Sequence, residues 1–408
     1  MPHPSLNARV IAAANTRPVL DEMGRGEAAP AAEAAISRSY TVALALENLS
    51  AAHAGFLQAE MLRAGGDVVL PQRPAGSGAA KTEIVLIGSR TRFRTLIARV
   101  ADAAADTAAV GEEIRRALDN HARTRFEIRM GARRLAVGPE PAVMGILNVT
   151  PDSFSDGGRW LESSSAVARA ERLVEEGADI IDVGGESTRP GSDPVTEEEE
   201  LARVLPVVET LASRIDAPIS IDTRHARVAR EAVAAGACLV NDVTGLQGDP
   251  GMAAAVAETG AGVVIMHMLG EPRSMQDHPH YDHLMADICR YLRRGMQIAA
   301  DAGVPEDGIL IDPGIGFGKT LRHNVEILAR LGQFRTLGAP ILVGPSRKRF
   351  IGELAGVAAP SERVFGTAAA CSLAVAAGAL VLRVHDVREV RQALAVATAI
   401  AHVDENAS

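Results

Sequence analysis

The stretch MGILNVTPDSFSDGG, residues 144–158, runs an apolar segment of strand length into a polar loop that ends in two glycines. The same change of character recurs at DVGGESTRPG (182–191), SIDT (220–223), LVNDV (239–243), DPGIGFGK (312–319), SRKR (346–349) and RVHD (383–386). Candidate strands lie at 142–149, 179–185, 218–222, 239–243, 262–267, 309–314, 340–346 and 380–386. Between them, AVARAERLVEEG, EEELARVLPVVETLASRI, ARVAREAVAAG and RHNVEILARLGQF place apolar residues at i, i+3 and i+4, the spacing of a helix with one face on a core. Strands and helices alternating eight times over about 260 residues have the size and order of an α/β fold of the (β/α)8 TIM barrel type, whose chemistry sits on the loops after the strands. An open doubly wound sheet would instead gather its ligand residues near one switch point. The polar clusters follow strands all along the chain, so they describe a single site at one end of a barrel.

Composition sets the outer limits. The chain has 408 residues, 47% of them hydrophobic, enough for a large core and one smaller domain. A net charge of −9 gives no overall field that favours nucleic acid or an anionic membrane, so an anionic substrate has to be held by local cations. Cys238, Cys289 and Cys371 are an odd number without CxxC spacing, which reads as reduced thiols of a cytoplasmic protein. The N-terminus lacks a basic segment followed by an apolar core, and no apolar run reaches the length of a membrane span, so neither secretion nor membrane insertion is expected. Residues 1–36 read as a poorly ordered tail and 37–124 as a small α/β domain. In that domain LENLSAAHAGFLQAEMLRAGGD reads as a helix stopped by Gly65 and Gly66, VVLP and TEIVLIGS as strands, and TRFRTLIARVADAA and VGEEIRRALDNHA as helices. Residues 125–408 are the barrel, led by RFEIRMGARRLAVG, whose alternation around Met130-Gly131 predicts a hairpin able to close the barrel's N-terminal mouth.

The strand ends carry the chemistry. Asp222, Asn241 and Asp312 end the third, fourth and sixth strands and Asp182 the second, and a carboxylate at such a strand end can accept two neighbouring donors in bidentate fashion. Asp222 and Asp312 also have the alternative role of capping the helices that follow. Asn148 offers a neutral amide oxygen, sufficient for Mg²⁺ because that ion keeps several waters and leans on substrate phosphates; a turn-forming role is equally open to it. DPGIGFGKT lacks the glycine that GxxxxGK[ST] requires at Pro313 and does not fit GxGxxG, which leaves a glycine-rich loop with Phe317 as a flat wall, or Phe317 as ordinary core. Ser346, Arg347, Lys348, Arg349, Arg383 and His385 fall on the last two strands, where barrels commonly bind phosphate. Met266, near the end of the fifth strand, and Met268, just after it, serve as pocket wall or core. No Ser-His-Asp order and no activated cysteine stands at a strand end, so no covalent intermediate is suggested.

Taken together and in this order, the motifs resemble the dihydropteroate synthase family over Ala142 to about Asp404. Its members join 6-hydroxymethyl-7,8-dihydropterin diphosphate to 4-aminobenzoate and release diphosphate in folate synthesis. The resemblance implies pterin contacts from Asp222, Asn241, Asp312, Lys348, Arg383 and Met266, and active-site roles for Asp182, Lys348, Arg383 and His385. It further implies an aminobenzoate pocket of Phe154, Thr188, Arg189, Pro190, Phe317 and Ser346, Mg²⁺ on Asn148, competition by sulfonamides, and a homodimer formed through helices near the C-terminus. Arg349 often has serine as its counterpart in the family and receives no role. Two other readings are a pterin domain of the methyltetrahydrofolate:corrinoid methyltransferase type and a non-catalytic pterin-binding relative. The first would not need SRKR, RVHD or STRPG, and the second would show a lost site residue.

Overall fold

A computed structural model describes residues 41–70, 82–149, 159–186, 195–271 and 274–401. The chain divides into two compact units, Met1–Asp119 and Asn120–Ser408.

In the first unit, β1 (Thr41–Leu49), β2 (Asp67–Val69) and β3 (Thr82–Ser89) form an antiparallel sheet in the order β1-β3-β2, accompanied by α1 (Ala51–Arg63), α2 (Arg90–Ala101) and α3 (Ala105–Ala122), within which the division falls. Leu57, Met61, Leu86, Phe93, Leu96 and Ile114 are fully buried and make its core. The sequence reading took Leu46 onward as helix and missed β1. The strand runs to Leu49, and its pairing with β3 shifts between Leu46 and Leu49, with Asn48 at φ 59°. That irregularity breaks the period-two pattern by which a strand is recognised. The expected tail, 1–36, lies outside the described residues.

The second unit opens with a hairpin, β4 (Phe126–Met130) and β5 (Arg133–Val137), and continues into a closed parallel barrel. Its strands are β6 (Ala142–Asn148), β7 (Ile180–Gly184), β8 (Ile219–Asp222), β9 (Leu239–Asp242), β10 (Gly262–Met266), β11 (Ile309–Asp312), β12 (Ile341–Val343) and β13 (Ala379–Val384), and they neighbour one another in chain order around the ring. The crossovers are α4 (Arg159–Glu175), α5 (Glu197–Ala212), α6 (Ala226–Ala234), α7 (Met252–Thr259), α8 (Leu284–Asp301), α9 (Leu321–Ala329), the pair α10 (Arg349–Ala355) and α11 (Val364–Ala376), and finally α12 (Val387–Ala401). Thr196 and Thr320 start α5 and α9 with capping boxes, each side chain accepting from the third helical residue.

Side-chain alternation along the strands sorts the barrel into two cores. Val143, Ile181, Ile221, Val240, Val263, Ile311, Val343 and Leu382 face the helices. Met144, Ile180, Leu239, Val264, Leu310, Leu342 and Val381 fill the lower interior together with Ile128, Met130 and Val137 of the hairpin. The hairpin thus plugs the N-terminal mouth as expected, and Gly131 N donates to Gly260 O at 3.1 Å. Because the period is two, the next inward positions up the strands are those of the polar clusters: Asp182, Asp222, Asn241, Met266, Asp312 and Arg383, with Asn148 at the end of β6.

Candidate active site

Arg383 joins the upper layer. Its Nε donates to Asp182 Oδ2 and its Nη2 to Asp222 Oδ2, both at 2.5 Å, and Asn241 Nδ2 donates to Asp182 Oδ2 at 3.1 Å. Asp182 is fully buried and Asp222 nearly so, and among the described residues Asp182 Oδ1 and Asp222 Oδ1 have no hydrogen-bond partner. A buried carboxylate oxygen without a donor costs free energy of about 1–3 kcal/mol, so these two oxygens favour a ligand that brings N–H groups. Burial pushes the Asp222 carboxyl up to about 7; Arg383 restrains the rise, and Asp182 adds to it.

Neither of the acids offered a capping role is a cap. The N-cap of α6 is His225, without a side-chain bond, and that of α9 is Thr320. Asp312 instead takes the Gly314 amide on Oδ1 at 2.7 Å, and burial raises its pKa against the opposing charge of Lys348. Lys348 Nζ donates to the Ile315 carbonyl and lies 4.6 Å from the centre of the Phe317 ring. Burial lowers the Lys348 ammonium to about 8, with Asp312 pulling the other way. Phe317 belongs with Val243, Met266, Met268 and Met275 to a small apolar cluster, which makes Met266 and Phe317 a wall at the strand ends rather than part of the main core.

The last two strand ends are tied together. Ser346 Oγ accepts from the His385 amide at 3.1 Å and stands 3.0 Å from His385 Nδ1, a hydrogen bond whose direction follows the ring tautomer. Arg347, with φ 57°, pairs with Asp386 and donates its amide N–H to the Thr367 hydroxyl at 3.1 Å; it is a brace for the loop. Arg349 is exposed and bonds Glu353 one turn on in α10, in keeping with the absence of an assigned role. Asn148 is half-buried at the end of β6, beside Gly184 in register. Phe154, Thr188, Arg189 and Pro190 lie outside the described residues.

The loop after β11 makes the close backbone approach that its glycines allow and holds one contact that its sequence does not reveal. Gly314 has φ +69°, and a Cβ there would stand 1.9 Å from the His267 carbonyl oxygen, so only glycine fits. Lys319, almost fully buried, places Nζ 2.9 Å from both His267 Nδ1 and the Phe317 carbonyl. A lysine closing a run of glycine and apolar residues is the only sequence signal for it.

Among the described residues one group has metal-ligand character: Glu186, Glu200 and His225, whose ligand atoms lie within 4.8 Å of one another. Both Glu186 oxygens already accept from Arg224, at 3.0 and 3.1 Å, and His225 Nδ1 meets Glu200 Oε2 at 2.7 Å. The group is a pair of ion pairs bracing the turn after β8. Cys238, Cys289 and Cys371 form no disulfide, and burial raises the Cys238 thiol and pushes the Cys371 thiol up to about 12, which leaves neither of these two a ready nucleophile. No described helix is long and apolar enough to cross a membrane.

Residues 144–385 match the family model of pterin binding enzymes. The chain is 48% identical over 266 residues to the dihydropteroate synthase of Escherichia coli (strain K12), which spans 65% of this chain and 94% of that protein. It is 40% identical over 359 residues to a probable bifunctional folylpolyglutamate synthase/dihydropteroate synthase of Haloferax volcanii, covering 86% of this chain and 42% of that one. That alignment is longer than Asn120–Ser408 and therefore reaches into the first unit. The structure of Xanthomonas albilineans dihydropteroate synthase with 4-aminobenzoic acid superposes with a TM-score of 0.64 at 49% identity, over 68% of this chain and 98% of that one. A barrel with buried acids and cations at its strand ends, a family model covering more than half of the chain, and relatives at this identity together place the chain in the pterin-binding enzyme family.

Proposed function

We infer that the chain is a dihydropteroate synthase, which condenses 6-hydroxymethyl-7,8-dihydropterin diphosphate with 4-aminobenzoate to 7,8-dihydropteroate and diphosphate. The observation that carries the reading is the buried layer of Asp182, Asp222, Asn241 and Arg383, with donor-less carboxylate oxygens at the depth where a pterin's amino group and ring N–H need acceptors. Arg383, gripped along its edge by two acids, keeps its planar guanidinium oriented to lie along a flat ring. Lys348 and His385 supply the positive charge and donor for the departing diphosphate, which takes both electrons of the C–O bond. The electron-rich pterin bears the resulting charge on its exocyclic methylene, the aminobenzoate nitrogen closes the C–N bond there, and that nitrogen then gives up a proton. Positioning and electrostatics carry the rate, with no covalent enzyme intermediate.

Mg²⁺ suits the one neutral oxygen that Asn148 offers at the end of β6. When bound with the diphosphate, it neutralises charge on the leaving group. Phe317 and the Lys348 stem form one side of the aminobenzoate pocket, to which the family resemblance also assigns Phe154, Thr188, Arg189, Pro190 and Ser346. Pterin diphosphate binds first, because it lies deeper and its diphosphate forms part of the outer wall; sulfonamides, flat amines of similar size, then compete with aminobenzoate. The basic residues at the ends of β12 and β13 and the identity to dihydropteroate synthases disfavour a corrinoid methyltransferase. The enzyme is cytoplasmic and works as a homodimer, a reading supported by the exposed Phe365 and Leu373 on α11 and Val396 and Ile400 on α12. The deciding experiment is turnover of the purified chain with both substrates and Mg²⁺, followed by diphosphate release. Binding of the pterin without turnover would leave only a pterin-binding protein.

A further inference from the structure

We infer that Lys319 is a positioning residue: by bridging the Phe317 carbonyl to His267 Nδ1 it fixes the aromatic wall against which the aminobenzoate ring packs. This rests on the functional reading above. Gly314, Gly316 and Gly318 all have positive φ, and they leave the loop after β11 few side chains with which to hold itself. Its carbonyls are held by side chains instead, three of them from other segments and one from Lys319 at the loop's end. Lys348 Nζ takes Ile315 O, Gln276 Nε2 takes Gly316 O at 2.6 Å, Lys319 Nζ takes Phe317 O at 2.9 Å, and Tyr281 Oη takes Gly318 O at 2.8 Å. Lys319 is the donor aimed at the aromatic residue itself, and its other partner is anchored: His267 N donates to Asp312 O at 2.9 Å, and the ring stacks at an angle between Tyr281 and Tyr291.

The chemistry of the bridge is self-consistent. Burial, reinforced by the neighbouring ammonium, lowers His267 to about 2, so its ring is neutral, and Nδ1 accepts from Lys319 in the tautomer that carries the ring proton on Nε2. Burial also lowers Lys319, against the attraction of Asp312. A lysine amine without its third proton still has two N–H groups, as many as the bridge uses. An apolar side chain would fill this place without the cost of burying an amine, so the amine's value is directional.

Lys319→Met removes both bonds while keeping the stem. The expected result is a KM for aminobenzoate raised about 10-fold, the scale of one lost hydrogen bond, with the KM for pterin diphosphate within about 2-fold of the parent. A second pair of variants tests the same bridge if the first folds poorly. His267→Asn retains an acceptor near the Nδ1 position and is expected to keep the parental aminobenzoate KM, whereas His267→Leu is expected to match Lys319→Met. Unchanged aminobenzoate KM in Lys319→Met, equal shifts for both substrates, or indistinguishable His267→Asn and His267→Leu would each overturn the inference. A parent chain that does not turn over would overturn it together with the functional reading, whereas a parent that turns over confines any such failure to Lys319.

Discussion

The charge of Arg383 sits between two buried carboxylates, and their burial makes the site sensitive to pH near neutrality. With Asp222 raised to about 7, the free enzyme carries a proton there below that pH. Pterin donors require the ionised form, so affinity is expected to rise with pH up to about 7 and to level off above it. Lys348, lowered to about 8, loses its charge above that value and with it part of its hold on the diphosphate. The two signs combine into a bell-shaped kcat/KM for pterin diphosphate with limbs near 7 and 8, measurable by steady-state kinetics from pH 5.5 to 9.5. Asp222→Asn should remove the acid limb and weaken binding by about 1–3 kcal/mol. A flat profile, with Asp222→Asn affinity unchanged in calorimetry, would refute the ring placement. Asn148→Ala tests a different group: the Mg²⁺ dependence of turnover should shift while affinity for a pterin lacking diphosphate stays nearly constant. Equal loss of both would show that Asn148 holds the ring rather than the metal.

Among the elements, the hairpin and the turn after β8 stabilise the barrel without touching substrate. Met130, fully buried in the lower interior, should cost about 2–5 kcal/mol when cut to alanine, seen as a lower denaturant midpoint with both KM values unchanged. His225 is raised above its ordinary value by its hydrogen bond to Glu200, with burial opposing. The folded state therefore binds the proton more tightly than the unfolded chain; this stability is complete below about pH 6.5 and is lost as pH rises through the higher folded value. Thermal melts between pH 5.5 and 8.5 should show a shallower decline for His225→Gln than for the parent, and identical slopes would exclude the ion pair as the cause. The barrel strands were legible to within a few residues because parallel strands covered on both faces are unbroken apolar runs, and the acids that end them stand out. β1 was not, since its irregular pairing spoils the alternation. The Arg224–Glu186 and Lys319–His267 contacts were equally hidden: their partners lie 38 and 52 residues apart, a proximity that only the closed ring creates.

For the whole molecule, the remaining questions are what covers the exposed apolar side chains of α11 and α12 and what the first unit does. Phe365 is 85% exposed and Leu373 69%, so charged substitutions there should leave the fold intact while dissociating the proposed homodimer; light scattering of the parent and of Phe365→Glu at micromolar concentration checks this, and an unchanged mass would count against an interface at this face. The first unit holds a compact apolar core, and among its described residues the buried acid Glu60 is paired with Arg63 and Arg99, leaving no cluster comparable to the barrel's strand ends. The barrel's described site residues all come from β6 to β13 and the loops that follow them, and the E. coli relative spans 65% of this chain while reaching 94% of its own length. We therefore expect the catalytic groups to be complete without the first unit, and the first unit to serve structure or interaction. A chain starting at Arg125 should keep turnover within about an order of magnitude of the parent, roughly 1.4 kcal/mol in transition-state terms. Circular dichroism is needed beside the assay, because only a folded barrel bears on the question. A folded barrel slower by several orders of magnitude, with pterin affinity intact, would show that the first unit supplies a group to the reaction after all.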